Sequence, residues 1–169
     1  LVHGYRSDAL ESLGLGADWR RGAQPALIDV ALDAYGWTGP WRVRRGFDSL
    51  VQMSSGSADA GMRLLGRDKP TPLPVQAIDH ACGQAMAAAA LRGMVERLAT
   101  GHGCVARLSL ARTAALLVGG GTGEVDPDMI GPDPDAARDL APEVERTFWG
   151  PARRLYPPIS VGEAPMRWD

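Results

Sequence analysis

The chain has 169 residues, 45% of them hydrophobic, and a net charge of −2 from 18 basic and 20 acidic side chains. That is enough apolar material for one core, or for part of a larger one, and the near-neutral balance leaves no basic footprint for nucleic acid or an anionic membrane surface. No apolar run nears the roughly 20 residues that a membrane-spanning helix needs, the first residues carry no signal-peptide pattern, and two cysteines, Cys82 and Cys104, make no disulfide framework, so a reducing cytoplasm is the expected compartment.

Leu1-Val2 is strand-like and runs into a turn at Gly4. Ser7 to Leu13 reads as a short helix, with Ser7 as its N-cap and Gly14 as its stop, and a second helical piece follows at about Asp18 to Gly22. Ala26 to Leu32 is a strand, and Tyr35-Gly-Trp-Thr-Gly-Pro40 is loop chemistry. Phe47 to Met53 reads as a helix ended by Ser54-Ser-Gly56, and a polar, Gly- and Pro-containing loop is expected from there to Pro74. Asp79 to Ala99 is the longest helix, closed by Gly101; Cys104 to Leu110 is a strand, and Ala111 to Val118 a helix stopped by glycines. Glu124 to Pro134 reads as a linker, Asp135 to Phe148 as a last helix, and Pro157 to Asp169 as an extended tail.

This alternation predicts an α/β layer with mainly parallel strands over residues 1–123, followed by a linker, helix and tail over 124–169. Both ends read as cuts in a longer polypeptide, because Leu1-Val2 opens directly on strand-like residues and the tail stops without a capping element. The long helix carries Gly83, Ala85, Ala87 to Ala90 and Gly93, which leaves it thin enough to approach another backbone closely, in a neighbouring helix or a second subunit.

Asp79 is the residue of greatest chemical interest, a carboxylate where an extended apolar segment gives way to that helix. Unpaired backbone N–H groups and the positive dipole end favour an anion there by about 0.3–1 kcal/mol. From the residues alone, a simple N-cap and a functional carboxylate both remain open. Gly119-Gly-Gly-Thr-Gly123 lacks the ending of a phosphate loop and reads as a connector. His3, His80 and His102 share no metal-ligand spacing with the cysteines, so no metal is assigned. Arg42, Arg44 and Arg45 form a basic knot, and Glu143 to Trp149 reads as an amphipathic packing helix.

Four blocks, in order, resemble the class III CoA-transferases, the CaiB/BaiF group. They are Val2-His-Gly-Tyr-Arg-Ser-Asp-Ala-Leu-Glu-Ser-Leu-Gly14, Arg45-Gly-Phe-Asp-Ser-Leu-Val-Gln-Met-Ser-Ser-Gly56, Pro74-Val-Gln-Ala-Ile-Asp79 and Thr100-Gly-His-Gly-Cys-Val-Ala-Arg-Leu-Ser-Leu110. The resemblance implies part of a Rossmann-like domain in which Asp79 attacks an acyl-CoA thioester, giving a mixed anhydride and then an aspartyl-CoA thioester that a carboxylic acid resolves. It carries the family's CoA-contacting positions onto Gly4, Tyr5, Arg6 and Ser12 and onto Asp33, Ala34, Tyr35 and Gly36. Acyl-CoA would be a substrate and no cofactor would be permanently bound. The expected partners are an acyl-CoA, a carboxylic acid and a second, interlocked copy of the chain or a complementary chain. Gly4 stands where the family usually has Asn, and Ser12 where it often has Arg. The related α-methylacyl-CoA racemases carry a His where this chain has Phe47, which cannot carry a proton, so racemisation is disfavoured. His80 is a poor substitute, since adjacent helical residues point about 100° apart. The competing reading from another class is a non-catalytic assembly segment.

Overall fold

A computed structural model describes residues 1–120, 135–157 and 162–163. The expected linker at 124–134, the last three residues of the Gly119–Gly123 run and most of the expected tail lie outside them. The chain forms two compact units, Leu1–Thr122 and Gly123–Asp169.

In the first unit, strands β1 (Val2–His3), β2 (Asp29–Asp33) and β3 (Val105–Ser109) make a parallel sheet in that order. Parallel neighbours need crossovers, and helices supply them. Helix α1 (Ala17–Ala23) lies between β1 and β2, and α2 (Asp48–Ser54), α3 (Ser57–Leu64) and α4 (Ala77–Thr100) lie between β2 and β3. Helix α5 (Leu110–Gly119) follows β3 directly. The α/β class with parallel pairing read from the sequence is the architecture found. Strand β2 reads Asp-Val-Ala-Leu-Asp because it is the central strand and is covered along nearly its whole length.

The core gathers under the first turns of α4. Ile78 and Cys82, one turn apart on its inner face, are fully buried with Val51 of α2 and Ala114 of α5, against Ala34 and Leu110. Burying a side chain such as Ile78 stabilises by roughly 1.5–3 kcal/mol, which makes this turn the best anchored part of a long helix. Gly101, at φ +76°, closes the other end by donating its N–H to the Arg97 carbonyl at 2.8 Å. Ser109 caps α5 by accepting the Arg112 N–H.

Three expected elements differ. Ser7 to Leu13 is a turn followed by a 3-10 turn at Glu11–Leu13, and Ser7 donates its hydroxyl to the Arg42 carbonyl instead of capping a helix. The expected loop after Gly56 contains α3, because Ala58 packs its methyl into the interior and Thr71 reaches back to bond the Ala58 carbonyl. The helix expected over Asp135 to Phe148 stops after one turn, α6 (Ala136–Asp139), and is followed by an antiparallel hairpin of β4 (Glu145–Thr147) and β5 (Gly150–Ala152). Pro142 removes a helical N–H in the middle of the expected span, and Gly150 takes a left-handed φ of +112° that closes the hairpin turn.

The small residues of α4 are used unequally. A Cβ at Gly93 would lie 2.5 Å from Cys104 Sγ and 2.8 Å from Ile28 Cγ2, whereas one at Gly83 would meet nothing within 4 Å. Close approach to the sheet is therefore made at Gly93. Gly93→Ala is expected to lower stability by about 1–3 kcal/mol through overpacking, against its helix-propensity gain. Gly83→Ala should raise stability by up to about 1 kcal/mol. Urea midpoints of the two variants check this, and equal behaviour would refute it.

Candidate functional site

The carboxyl end of β2 opens on a cleft of about 410 Å³. Its wall brings together the loop after β1 (Gly4, Tyr5, Arg6), the end of β2 and the residue after it (Asp33, Ala34), and Asp79 of α4. Arg44, Arg45 and Phe47, just ahead of α2, complete it. Ligand sites of open α/β sheets lie at the carboxyl ends of strands.

Asp79 is not the N-cap of α4. The cap position is Gln76, whose side chain bonds none of the free N–H groups, and Asp79 is the third helical residue. The cap comes from another helix. Asp48, the first residue of α2 and 1% exposed, accepts the Asp79 backbone N–H through Oδ2 at 2.8 Å. Its Oδ1 accepts from the side-chain amide of Gln52 at 2.5 Å, and the Gln52 carbonyl oxygen in turn accepts the Leu73 N–H at 2.7 Å. A buried carboxylate thus ties α2, the segment before α4 and the first turn of α4 into one rigid corner, leaving the Asp79 side chain at the surface of the cleft. Partial burial pushes the Asp79 carboxyl pKa above the usual range, the Asp48 charge adds to this, and His80 opposes it. A more basic carboxylate is a better nucleophile once ionised.

Of the other predicted positions, Gly4, Tyr5, Arg6, Asp33 and Ala34 line the cleft with Asp79. Ser12, Tyr35 and Gly36 are not in its wall. Ser12 donates its hydroxyl to the Ala9 carbonyl within the 3-10 turn. The Tyr35 hydroxyl pairs with Ser54 Oγ at 3.0 Å, and its ring meets Trp41 edge-on. Gly36 donates its N–H to Asp33 Oδ1 at 2.6 Å. The pair the sequence reading passed over is Asp48 and Gln52. The signal for it was an acid at a helix start with an amide at i+4, which suits a bond along one face.

A second cavity of about 300 Å³ also has Arg6 in its wall. Its wall includes His3, Arg20, Asp29 and Trp37, and the His3 ring nitrogens, Asp29 Oδ1 and Trp37 Nε1 have no hydrogen-bond partner among the described residues. His3 and Asp29 lie 3.7 Å apart, but burial lowers the His3 pKa more than Asp29 raises it, so they are not a charged pair. Among the described residues, no group of three or more His, Cys, Asp or Glu could hold a metal ion.

The fold agrees with what the chain resembles. It belongs to CoA-transferase family III, whose family model matches residues 1–145. It is 34% identical over 113 residues to a probable fatty acyl-CoA transferase, Rv3272, of Mycobacterium tuberculosis (strain ATCC 25618 / H37Rv), covering 65% of this chain and 27% of that protein. It is 31% identical over 122 residues to an acyl-CoA transferase of Fusarium pseudograminearum (strain CS3096), covering 70% of this chain and 25% of that protein. A crystal structure of the M. tuberculosis protein superposes with a TM-score of 0.63 at 33% identity, covering 70% of this chain and 33% of that one. The chain spans about a quarter of the length of the curated relatives it matches.

Asp48→Asn tests the corner. The amide keeps the shape and one acceptor but removes the charge, so the Asp79 carboxyl pKa should fall toward its ordinary value, as followed by NMR titration. Loss of the charged hydrogen bond should cost about 1–3 kcal/mol of stability. An unchanged Asp79 titration would show that the two carboxyls do not interact.

Proposed function

We propose that this chain carries the nucleophile of a family III CoA-transferase, which moves CoA from an acyl-CoA thioester to a carboxylic acid through an aspartyl intermediate on Asp79. The observation that carries the reading is the cleft that places the Asp79 carboxyl beside Gly4, Tyr5 and Arg6, with the backbone of Asp79 held by Asp48. Arg6, Arg44 and Arg45 give that cleft three cations suited to the phosphates of CoA, and Tyr5, which is 60% exposed, offers a face for the adenine. Asp79 supplies the attacking oxygen, and CoA leaves as thiolate and returns to the activated aspartyl carbonyl. Acyl-CoA is a substrate here and no resident cofactor is required.

Phe47 in the cleft wall supports transfer over racemisation, since it has no proton to exchange with an acyl α-carbon. Exposed Leu91, Val95 and Leu98, at i, i+4 and i+7 on α4, suit an apolar cover from a second copy or a complementary chain. The same exposed stripe favours the second reading, an assembly segment whose complete site needs further polypeptide. No described helix is long and apolar enough to cross a membrane, and the two free cysteines fit a reducing cytoplasm.

Intact mass after brief incubation with a panel of acyl-CoAs, with and without hydroxylamine, tests this. The expected result is an acyl- or CoA-sized adduct on Asp79 that hydroxylamine removes and that Asp79→Asn does not form while folding normally. No adduct on folded, monodisperse protein would instead support the assembly reading.

A further inference from the structure

We propose that Asp33 donates the hydrogen bond that stabilises the thioester carbonyl oxygen while Asp79 attacks, a role that rests on the covalent reading above. Asp33 ends β2 at the carboxyl edge of the parallel sheet and shares the cleft wall with Asp79. It is only 6% exposed. Its Oδ1 is occupied by the Gly36 N–H, whereas Oδ2 is buried without a hydrogen-bond partner among the described residues. No described cation lies within ion-pair distance of it.

A buried carboxylate oxygen with nothing to bond is costly, and the cost falls if the oxygen carries the proton. Burial accordingly pushes the Asp33 pKa up, with the Gly36 N–H working against it. Protonated Asp33 still accepts from Gly36 through Oδ1 and holds a donor on Oδ2, so the partner it lacks is an acceptor. The anionic parts of an acyl-CoA have Arg6, Arg44 and Arg45 in the same cleft, which leaves the thioester carbonyl for the neutral donor.

The step balances without any co-reactant. An Asp79 carboxylate oxygen forms a bond to the thioester carbon, and the carbonyl π pair moves onto its oxygen, where Asp33 donates. When that oxyanion collapses, the carbon–sulfur bond breaks and its electron pair leaves with CoA as thiolate, giving the mixed anhydride. Asp33 keeps its proton throughout.

The reaction therefore needs Asp79 ionised and Asp33 protonated. Tyr5, Arg6, Arg44 and Arg45 share the cleft wall, and Asp48 lies behind Asp79. The test measures the single-turnover rate of Asp79 adduct formation across pH in wild type, Asp33→Asn and Asp33→Leu, and acyl-CoA affinity by calorimetry in each on an Asp79→Asn background. Asp33→Leu should slow acylation on the order of 10²-fold, with Kd held within about twofold, because the donor acts on the developing oxyanion. Asp33→Asn keeps a donor and should acylate within about tenfold of wild type, losing the alkaline limb of the pH profile. It should also melt higher than wild type at neutral pH, the difference closing as acidification protonates Asp33 in both folded and unfolded states, since a raised folded pKa makes its ionisation destabilising. Unchanged acylation in Asp33→Leu, a Kd that weakens in step with the rate, or an alkaline limb that survives in Asp33→Asn would overturn the assignment. Wild type forming no adduct at all would overturn the covalent reading itself, a failure seen before any change at Asp33.

Discussion

The site depends on one hydrogen bond, from the backbone N–H of Asp79 to the buried carboxylate of Asp48. A helix start has N–H groups that must find partners, and its own residues usually supply one. Here Gln76 supplies none, so the acceptor comes from the first turn of a different helix. That transfer frees the Asp79 side chain. Were Asp79 its own helix's cap, its carboxylate would be bonded to backbone instead of free at the cleft. Gln52 holds the Asp48 carboxylate on its far side and passes the restraint to Leu73, so the chain entering α4 and the start of α2 are positioned together.

Two carboxyls of different character share the resulting cleft. Asp79 sits at the surface of a helix start, and Asp33 is sunk at the end of the central strand. Burial raises the pKa of both, but the other influences differ: Asp79 faces the Asp48 charge and His80, while Asp33 has only the Gly36 N–H. In the proposed reading one acts as an anion and the other as an acid, the more deeply buried Asp33 keeping its proton. Arg6, Arg44 and Arg45 line the same cleft.

Much of this was legible in residue order. The alternation of strand-like and helical segments predicted the parallel sheet, because a buried central strand must be nearly all apolar and its neighbours must be reached through helices. The resemblance carried nine positions to one site; Asp79, Gly4, Tyr5, Arg6, Asp33 and Ala34 line one cleft, and Ser12, Tyr35 and Gly36 do not. Other signals were present and outweighed. Pro142 marked the end of the last helix, but the surrounding Ala, Glu and Arg favoured continuing through it. The segment after Gly56 looked polar enough for a loop, and α3 forms because burying Ala58 and bonding Thr71 to it offset weak propensity.

Local chemistry by itself determined the alternation of strand-like and helical segments and that Asp79 stands in the first turn of a helix. Those properties depend on neighbours within a few positions, so they survive in the order of residues. Tertiary structure alone decided which of the small residues of α4 touches the sheet, that Asp48 caps a helix begun 29 residues later at Ala77, and that Asp33 is buried with one oxygen unpartnered. Each of these turns on the distance between segments far apart in the chain, and that distance is set by how the crossover folds back over the sheet.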